Sequence, residues 1–258
     1  MRPVARLLAL AAASALLCAS GLSLARPLHE IKERNILSIC ANPDALPYAK
    51  RSGDVHGFQV DLGQAIARQL GVGFEAKWII PTYRARVVDC DLKMDFIVQG
   101  LEDDSKVKLS MPYAKGGVAL AIAQGQDDIV DFAKVIPGRK MGVMLNSTAS
   151  MILNKRGWVT SPYAFEDDML EDLEKGELAA AAISVNTIQY YIHNHPGHSL
   201  RFVHAYDGEP DMEWTLAVGV RRGDEALVTA LNKALEQLIA DGTVKAIYAR
   251  YGIEHRKP

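Results

Sequence analysis

The stretch WTLAVGVRRGDEALVTALNKALEQLIADGTVKAIYARYGI, Trp214 to Ile253, decides the fold. WTLAVGV is an apolar run of strand length, and RRGDEA is a charged turn. Leu227, Leu231, Leu235 and Leu238 then recur at helical spacing until DGT closes the helix. A last helix carries Val244, Ile247, Tyr248 and Tyr251 and stops at Gly252. A strand followed by helices with one greasy stripe needs a sheet to receive that stripe, which predicts an α/β architecture.

Upstream, the same alternation begins early. ILSICANP reads as a buried strand ended by an Asn-Pro breaker, and DALPYAKRSGD as a loop. Leu62, Ile66 and Leu70 mark a helix stopped by Gly71. GFEAKWII is a second strand, a short helix falls around Tyr83 to Val88, and DLKMDFIV is a third strand. This order predicts a mostly parallel sheet covered by helices. The middle of the chain repeats the scheme: strands at GGVALAIAQ, RKMGVM, LAAAAISV and LRFVHAYD alternate with helices at SMILNKRG, FEDDMLEDLEKGE and TIQYYIHN. That is a second α/β lobe with its own sheet.

The 258 residues, 49% of them hydrophobic, are enough for two compact lobes. A formal net charge of −2 offers no electrostatic case for nucleic acid or an anionic membrane. Arg2 and Arg6 precede an apolar run from Leu7 to Leu17, and SLA ends at Ala25. That order predicts a secretory signal over residues 1–25 and an exported protein. The apolar run is shorter than the ~20 residues that span a bilayer, so no stable membrane insertion is expected once it is removed. Cys18 leaves with the signal. Cys40 and Cys90 remain, an even count in an exported chain, which points to a disulfide; two buried thiols are the alternative.

LPY after the first strand, GFQVDLGQAIARQLG, MPYAKGGVALAI, GRKMGVMLNST and above all the C-terminal stretch resemble the type II periplasmic solute-binding proteins of family 3. CANPDALPYAKRSGD with Cys90-Asp91 resembles, more narrowly, the MxaJ and XoxJ type associated with quinoprotein alcohol dehydrogenases in methylotrophs. The resemblance implies two lobes joined by two hinge strands, each lobe a mostly parallel sheet flanked by helices. Residues 26–114 plus 217–258 would form the first lobe and 115–216 an inserted second, with hinges near Pro112–Gly116 and Trp214–Ala217. A ligand would sit between the lobes, beyond the carboxyl ends of the strands.

The resemblance also implies positions for that ligand. Asn42 and Asp44 fall at the tip of strand one, with Tyr48 just behind. Trp78 falls where an aromatic ring covers the ligand, or else it packs in the core. Val98, ending strand three, is counted among the contacts. Asn146, Ser147 and Thr148 stand where a helix start holds an anionic group, or else they only cap that helix. Amino-acid-binding members grip the α-carboxylate with an arginine after strand three; Asp103 stands there, within Glu102–Asp104, which is otherwise a solvated acidic turn. Their acid for the α-ammonium, after strand four, is replaced by Ser184. Both zwitterion anchors are thus missing, which favours a cation or a neutral polar solute over an ordinary α-amino acid.

Other chemistries fare worse. There is no GxSxG elbow, HExxH pair or Walker loop, so neither catalysis nor a cofactor is expected. His193, His195, His198 and His204 could hold zinc or copper, but read better as a polar segment turning at Pro196-Gly197. An acidic group of Asp44 with Glu102–Asp104 would suit calcium. The expectation is a monomeric periplasmic protein that captures a small polar solute for the membrane subunits of an ABC transporter. The alternative is an accessory factor of a periplasmic quinoprotein dehydrogenase.

Overall fold

The structure, a computed structural model, describes residues 26–80, 90–98, 107–135, 138–221 and 225–258. The expected leader, the short helix around 83–88 and Asp103 with its acidic neighbours lie outside them.

In the first lobe, β1 (Ile36–Ala41) runs parallel to β4 (Gly73–Trp78) on one side and to β5 (Leu92–Ile97) on the other. The crossover between β1 and β4 contains α2 (Phe58–Gln69), which buries Phe58, Leu62, Ala65 and Ile66. Parallel neighbours require such a crossover. The segment expected as a plain loop holds a small hairpin, β2 (Asp44–Ala45) with β3 (Ala49–Lys50). A helix not read from the sequence, α1 (Leu28–Arg34), precedes β1. The C-terminal stretch returns to this lobe as α6 (Glu225–Ala240) and α7 (Thr243–Ala249). Leu227, Leu231, Leu235 and Leu238 are buried, as their spacing requires. Each contributes about 2 kcal/mol by leaving water.

The second lobe has its own hydrophobic cluster, centred on Leu120, Ile122, Met141, Leu170 and Ile188. Its parallel strands are β8 (Met141–Met144), β9 (Thr160–Tyr163) and β10 (Ala180–Ser184). Helices α3 (Thr148–Lys155), α4 (Glu166–Glu174) and α5 (Val185–Asn194) cover them, and β11 (Leu200–Val203) joins at one side. The cluster of the first lobe, around Leu37, Ile39, Phe58, Leu62 and Leu231, shares none of these buried residues.

Two long strands connect the lobes. β7 (Ala114–Ala123) pairs over Ala114–Gly117 with β12 (Glu213–Arg221), then over Val118–Ala123 with β10 and β11. β12 continues beside β5 and β6 (Val107–Leu109). All of these pairings are antiparallel. The expectation of mostly parallel sheets therefore needs correction: each lobe is mixed, parallel away from the junction and antiparallel at it. The hydrogen-bonded path runs continuously through both lobes, and the division lies in the two cores.

A third connection was not expected. After α7 the chain crosses onto the second lobe. Glu254 N–H donates to Gln189 Oε1 at 2.7 Å, and Arg256 reaches the Tyr206 hydroxyl at 2.6 Å and Asp207 Oδ1 at 2.8 Å.

In the first lobe, Cys40 and Cys90 form a disulfide with Cα atoms 5.5 Å apart. Beside it, the buried Arg26 places Nε 2.8 Å from Asp91 Oδ1. Asp91 Oδ2 accepts from the Ser38 N–H and hydroxyl, both at 2.7 Å.

Candidate functional site

The lobes meet around a cavity of about 170 Å³. Tyr48 and Asp95 face it from the first lobe, Ser184 and Asn186 from the second, and Gly117 and Trp214 from the connecting strands. Gly117 is required there: a Cβ would stand 2.4 Å from Tyr206 Cγ and 2.6 Å from Met212 O.

Tyr48 leaves the β2–β3 hairpin, and its ring leans on Phe58 at 5.2 Å. Its hydroxyl lies 2.6 Å from Ser184 Oγ, so one hydrogen bond spans the gap between the lobes. Burial pushes the Tyr48 phenol up to about 12; the Ser184 bond opposes this and the Asp95 charge adds to it. Ser184 stands at the start of α5 but makes no capping bond with its side chain, which leaves its hydroxyl for Tyr48.

Asp95 is the charged group in the wall. Its carboxyl accepts from Gln59 Nε2 at 2.6 Å and from the Tyr113 hydroxyl, and its own N–H donates to that hydroxyl at 3.2 Å. Burial raises the carboxyl's pKa, and the Gln59 and Tyr113 bonds pull it back. Across the gap, Glu166 at the start of α4 is also raised by burial and by the neighbouring charge of Asp167. Among the described residues, no lysine or arginine lines the cavity.

Of the residues expected from the sequence, Tyr48 and Ser184 come together. The other described ones do not join them. Asn42 Oδ1 accepts from the Asp44 N–H at 3.1 Å within its own turn. Asp44 points to solvent, its side chain 85% exposed and 3.6 Å from Lys50 Nζ, because the hairpin sets the two residues opposite each other. Trp78 lies in register with Ala41 and packs against the first lobe's core. Val98 donates its backbone N–H to Thr215 O at 3.0 Å. Asn146 takes a left-handed turn conformation on the surface. Ser147 caps α3 by accepting from Ser150 N at 3.1 Å, and Thr148 opens that helix.

Asp95, Asn186 and Trp214 are among the wall residues that sequence reasoning did not place at the site. A signal for Asp95 existed: it is an acid set in the strand core KMDFIV. The four histidines disperse. His193 packs against Gly252, His195 stacks on Tyr191 at 4.1 Å, His198 accepts from Leu200 N, and His204 joins the Arg256 contacts. Among the described residues, no three metal-ligating side chains converge.

Residues 37–254 match the bacterial extracellular solute-binding proteins, family 3, and the chain belongs to that family. It is 25% identical over 234 residues to the L-cystine-binding protein TcyJ of Escherichia coli, covering 87% of this chain and 85% of that protein. It is 28% identical over 217 residues to an L-arginine-binding protein of Pseudomonas aeruginosa, covering 77% and 80%. Among solved structures, the L-cystine solute receptor of Neisseria gonorrhoeae in its unliganded open conformation matches with a TM-score of 0.71 at 20% identity. That match covers 90% of this chain and 99% of the receptor. An ancestral cationic amino acid solute-binding protein matches with a TM-score of 0.73 at 23% identity, covering 87% and 98%. These structural likenesses establish the two-lobed type II periplasmic-binding-protein fold.

Proposed function

We propose that the protein is exported to the periplasm and captures a small polar solute between its lobes for the membrane subunits of an ABC transporter. The observation that carries this reading is the cavity walled by both lobes and bridged by the Tyr48–Ser184 bond. A solute seated there touches both halves at once, so its binding energy favours the closed arrangement. Membership of a solute-binding family and the names of the relatives support it. Among the described residues, no helix is long and apolar enough to cross a membrane.

In this reading residues 26–114 with 217–258 move against 115–216, bending where β7 and β12 cross. Tyr48 and Ser184 act as a latch, and the protein works as a monomer without turnover. The accessory-factor reading gains no support from the relatives named above. Thermal melting and small-angle scattering of the mature chain against amino acids, amines, sugars and polyols test the proposal. A solute that binds raises the melting point with its concentration and compacts the particle. If no solute does either, the reading fails.

A further inference from the structure

We propose that Asp95 selects the ligand's charge, so that the interlobe cavity takes a small organic cation, an ammonium on a short polar chain without a carboxylate. This rests on the solute-binding reading above and adds the ligand class to it.

The backbone gives the first reason. In the β5–β12 pairing, Leu216 and Ala217 oppose Ile97 and Phe96, while Gly219 and Val220 oppose Lys93 and Leu92. Two residues of β5, Met94 and Asp95, therefore stand against the single Val218. That is a β-bulge, which re-aims a side chain out of its regular alternation. Asp95 has φ 52°, a left-handed conformation that residues with a Cβ adopt at a cost, aspartate at less than most. Such a residue persists where its surroundings over-determine it, and such sites cluster at ligand-binding positions.

The hydrogen bonds give the second. Gln59 from α2 and Tyr113 from the start of the connecting strand hold both carboxyl oxygens. Both donors are neutral, so they orient the carboxylate without cancelling its charge. Lys93, two residues away, lies over the Phe96 ring at 5.1 Å.

The opposite wall gives the third. The Glu166 carboxyl and Thr187 Oγ1 sit near the Tyr48 phenol on the second lobe's side. Thr187 is 5% exposed, and its hydroxyl lies where it favours the charged forms of both Tyr48 and Glu166. An anionic solute in the cavity meets repulsion from Asp95, the acid in its wall. A neutral one leaves that desolvated carboxyl without counter-charge. An ammonium supplies that charge and donates to acceptors on both lobes, while the Tyr48 and Trp214 rings offer faces that attract cations.

Calorimetric titration of the mature chain with two matched triplets tests this. The first is ethanolamine, ethylene glycol and L-serine; the second is 1,4-diaminobutane, 1,4-butanediol and L-ornithine. Within each triplet the skeleton is shared, while the ammonium is removed or a carboxylate added. The expected result is that at least one amine binds tenfold or more tightly than both its companions. Asp95→Asn, which keeps an oxygen acceptor, should weaken that amine at least tenfold. Equal or tighter binding of a diol or amino acid overturns the charge assignment and leaves solute capture standing. So does a solute that binds from the broader panel while both amines fail. Undiminished amine binding by Asp95→Asn removes Asp95 from the role. The unsubstituted protein's ranking of each triplet decides the charge class even if that variant does not fold. Silence from both triplets and from the broader panel overturns both readings.

Discussion

Arg256→Ala measures how far the C-terminal tail holds the two lobes together. The guanidinium makes three kinds of contact with the second lobe. It donates to the buried Tyr206 hydroxyl at 2.6 Å, and forms a forked pair with Asp207 at 2.8 and 3.3 Å. It also lies over the Tyr206 ring at 5.3 Å. A charged hydrogen bond to a buried hydroxyl contributes about 1.5 kcal/mol. The Asp207 pair is half exposed on the acid's side, so screening holds it near ~0.5 kcal/mol. The loss should be about 2 kcal/mol, which for a chain of this size lowers the melting point by about 4 to 8 °C. The Arg256→Ala, Asp207→Ala cycle should return a coupling near ~0.5 kcal/mol. Acid should weaken the same contact. The Arg256 bond depresses the Asp207 pKa, so its contribution is present above the unfolded pKa and is lost as pH falls through the lower folded one. Burial and Arg256 likewise depress His204, so the unfolded chain binds that proton first and stability begins to fall below pH ~6.5. Calorimetric melting of both proteins from pH 7.5 to 2 reads all of this. A change under about 1 °C for Arg256→Ala at pH 7.5 would show that the tail lies on the second lobe without holding it.

Asp91→Ala removes the carboxylate facing the buried Arg26 Nε and takes the acceptor from the Ser38 N–H; it should cost about 3 to 5 kcal/mol by denaturant titration, and Arg26→Met with Asp91→Leu should recover most of that. Replacing Cys40 and Cys90 by alanine releases a loop of 50 residues, and the midpoint should fall by the equivalent of about 4 kcal/mol, most visibly in the unfolding of the first lobe. Gly117→Ala forces a methyl against the Tyr206 ring at the crossing of β7 and β12; a loss of about 1 to 3 kcal/mol is expected, and an unchanged melt would mean the strands part easily there.

Much of the fold was legible because burial writes itself into spacing. The leucines of α6 and the apolar runs of β1, β7 and β10 say which face or strand leaves water, wherever the partner lies in the chain. What failed was whatever depends on pairing. β9, whose sequence TSPY has one proline and three hydroxyls, carries no apolar signature, and β8 supplies its order. The antiparallel junction followed from which strands cross, and no local pattern encodes that. The tail beyond Gly252 is short, and its place comes from distant partners: Tyr206, Asp207 and Gln189, 49 or more residues upstream, and the backbone of Tyr113 and Lys115.

The site was legible in the same uneven way. Tyr48 and Ser184 were reached through the family resemblance, and the fold brings them within one hydrogen bond across 136 residues of chain. Asn42, Asp44 and Ser147 were plausible by type, yet each has a nearer use: a turn, a hairpin pair, a cap. Local side-chain bonds of this kind form at little loop-closure cost, so Asn, Asp and Ser near turns are taken up before a distant ligand can claim them. Asp95 is the converse. It sits in a strand, where neither a cap nor a turn is at hand, and its partners Gln59 and Tyr113 come from two other elements. An acid placed where local structure cannot use it is held there by the tertiary fold alone. That is the physical ground for reading Asp95, ahead of the loop acids, as the charge the cavity presents.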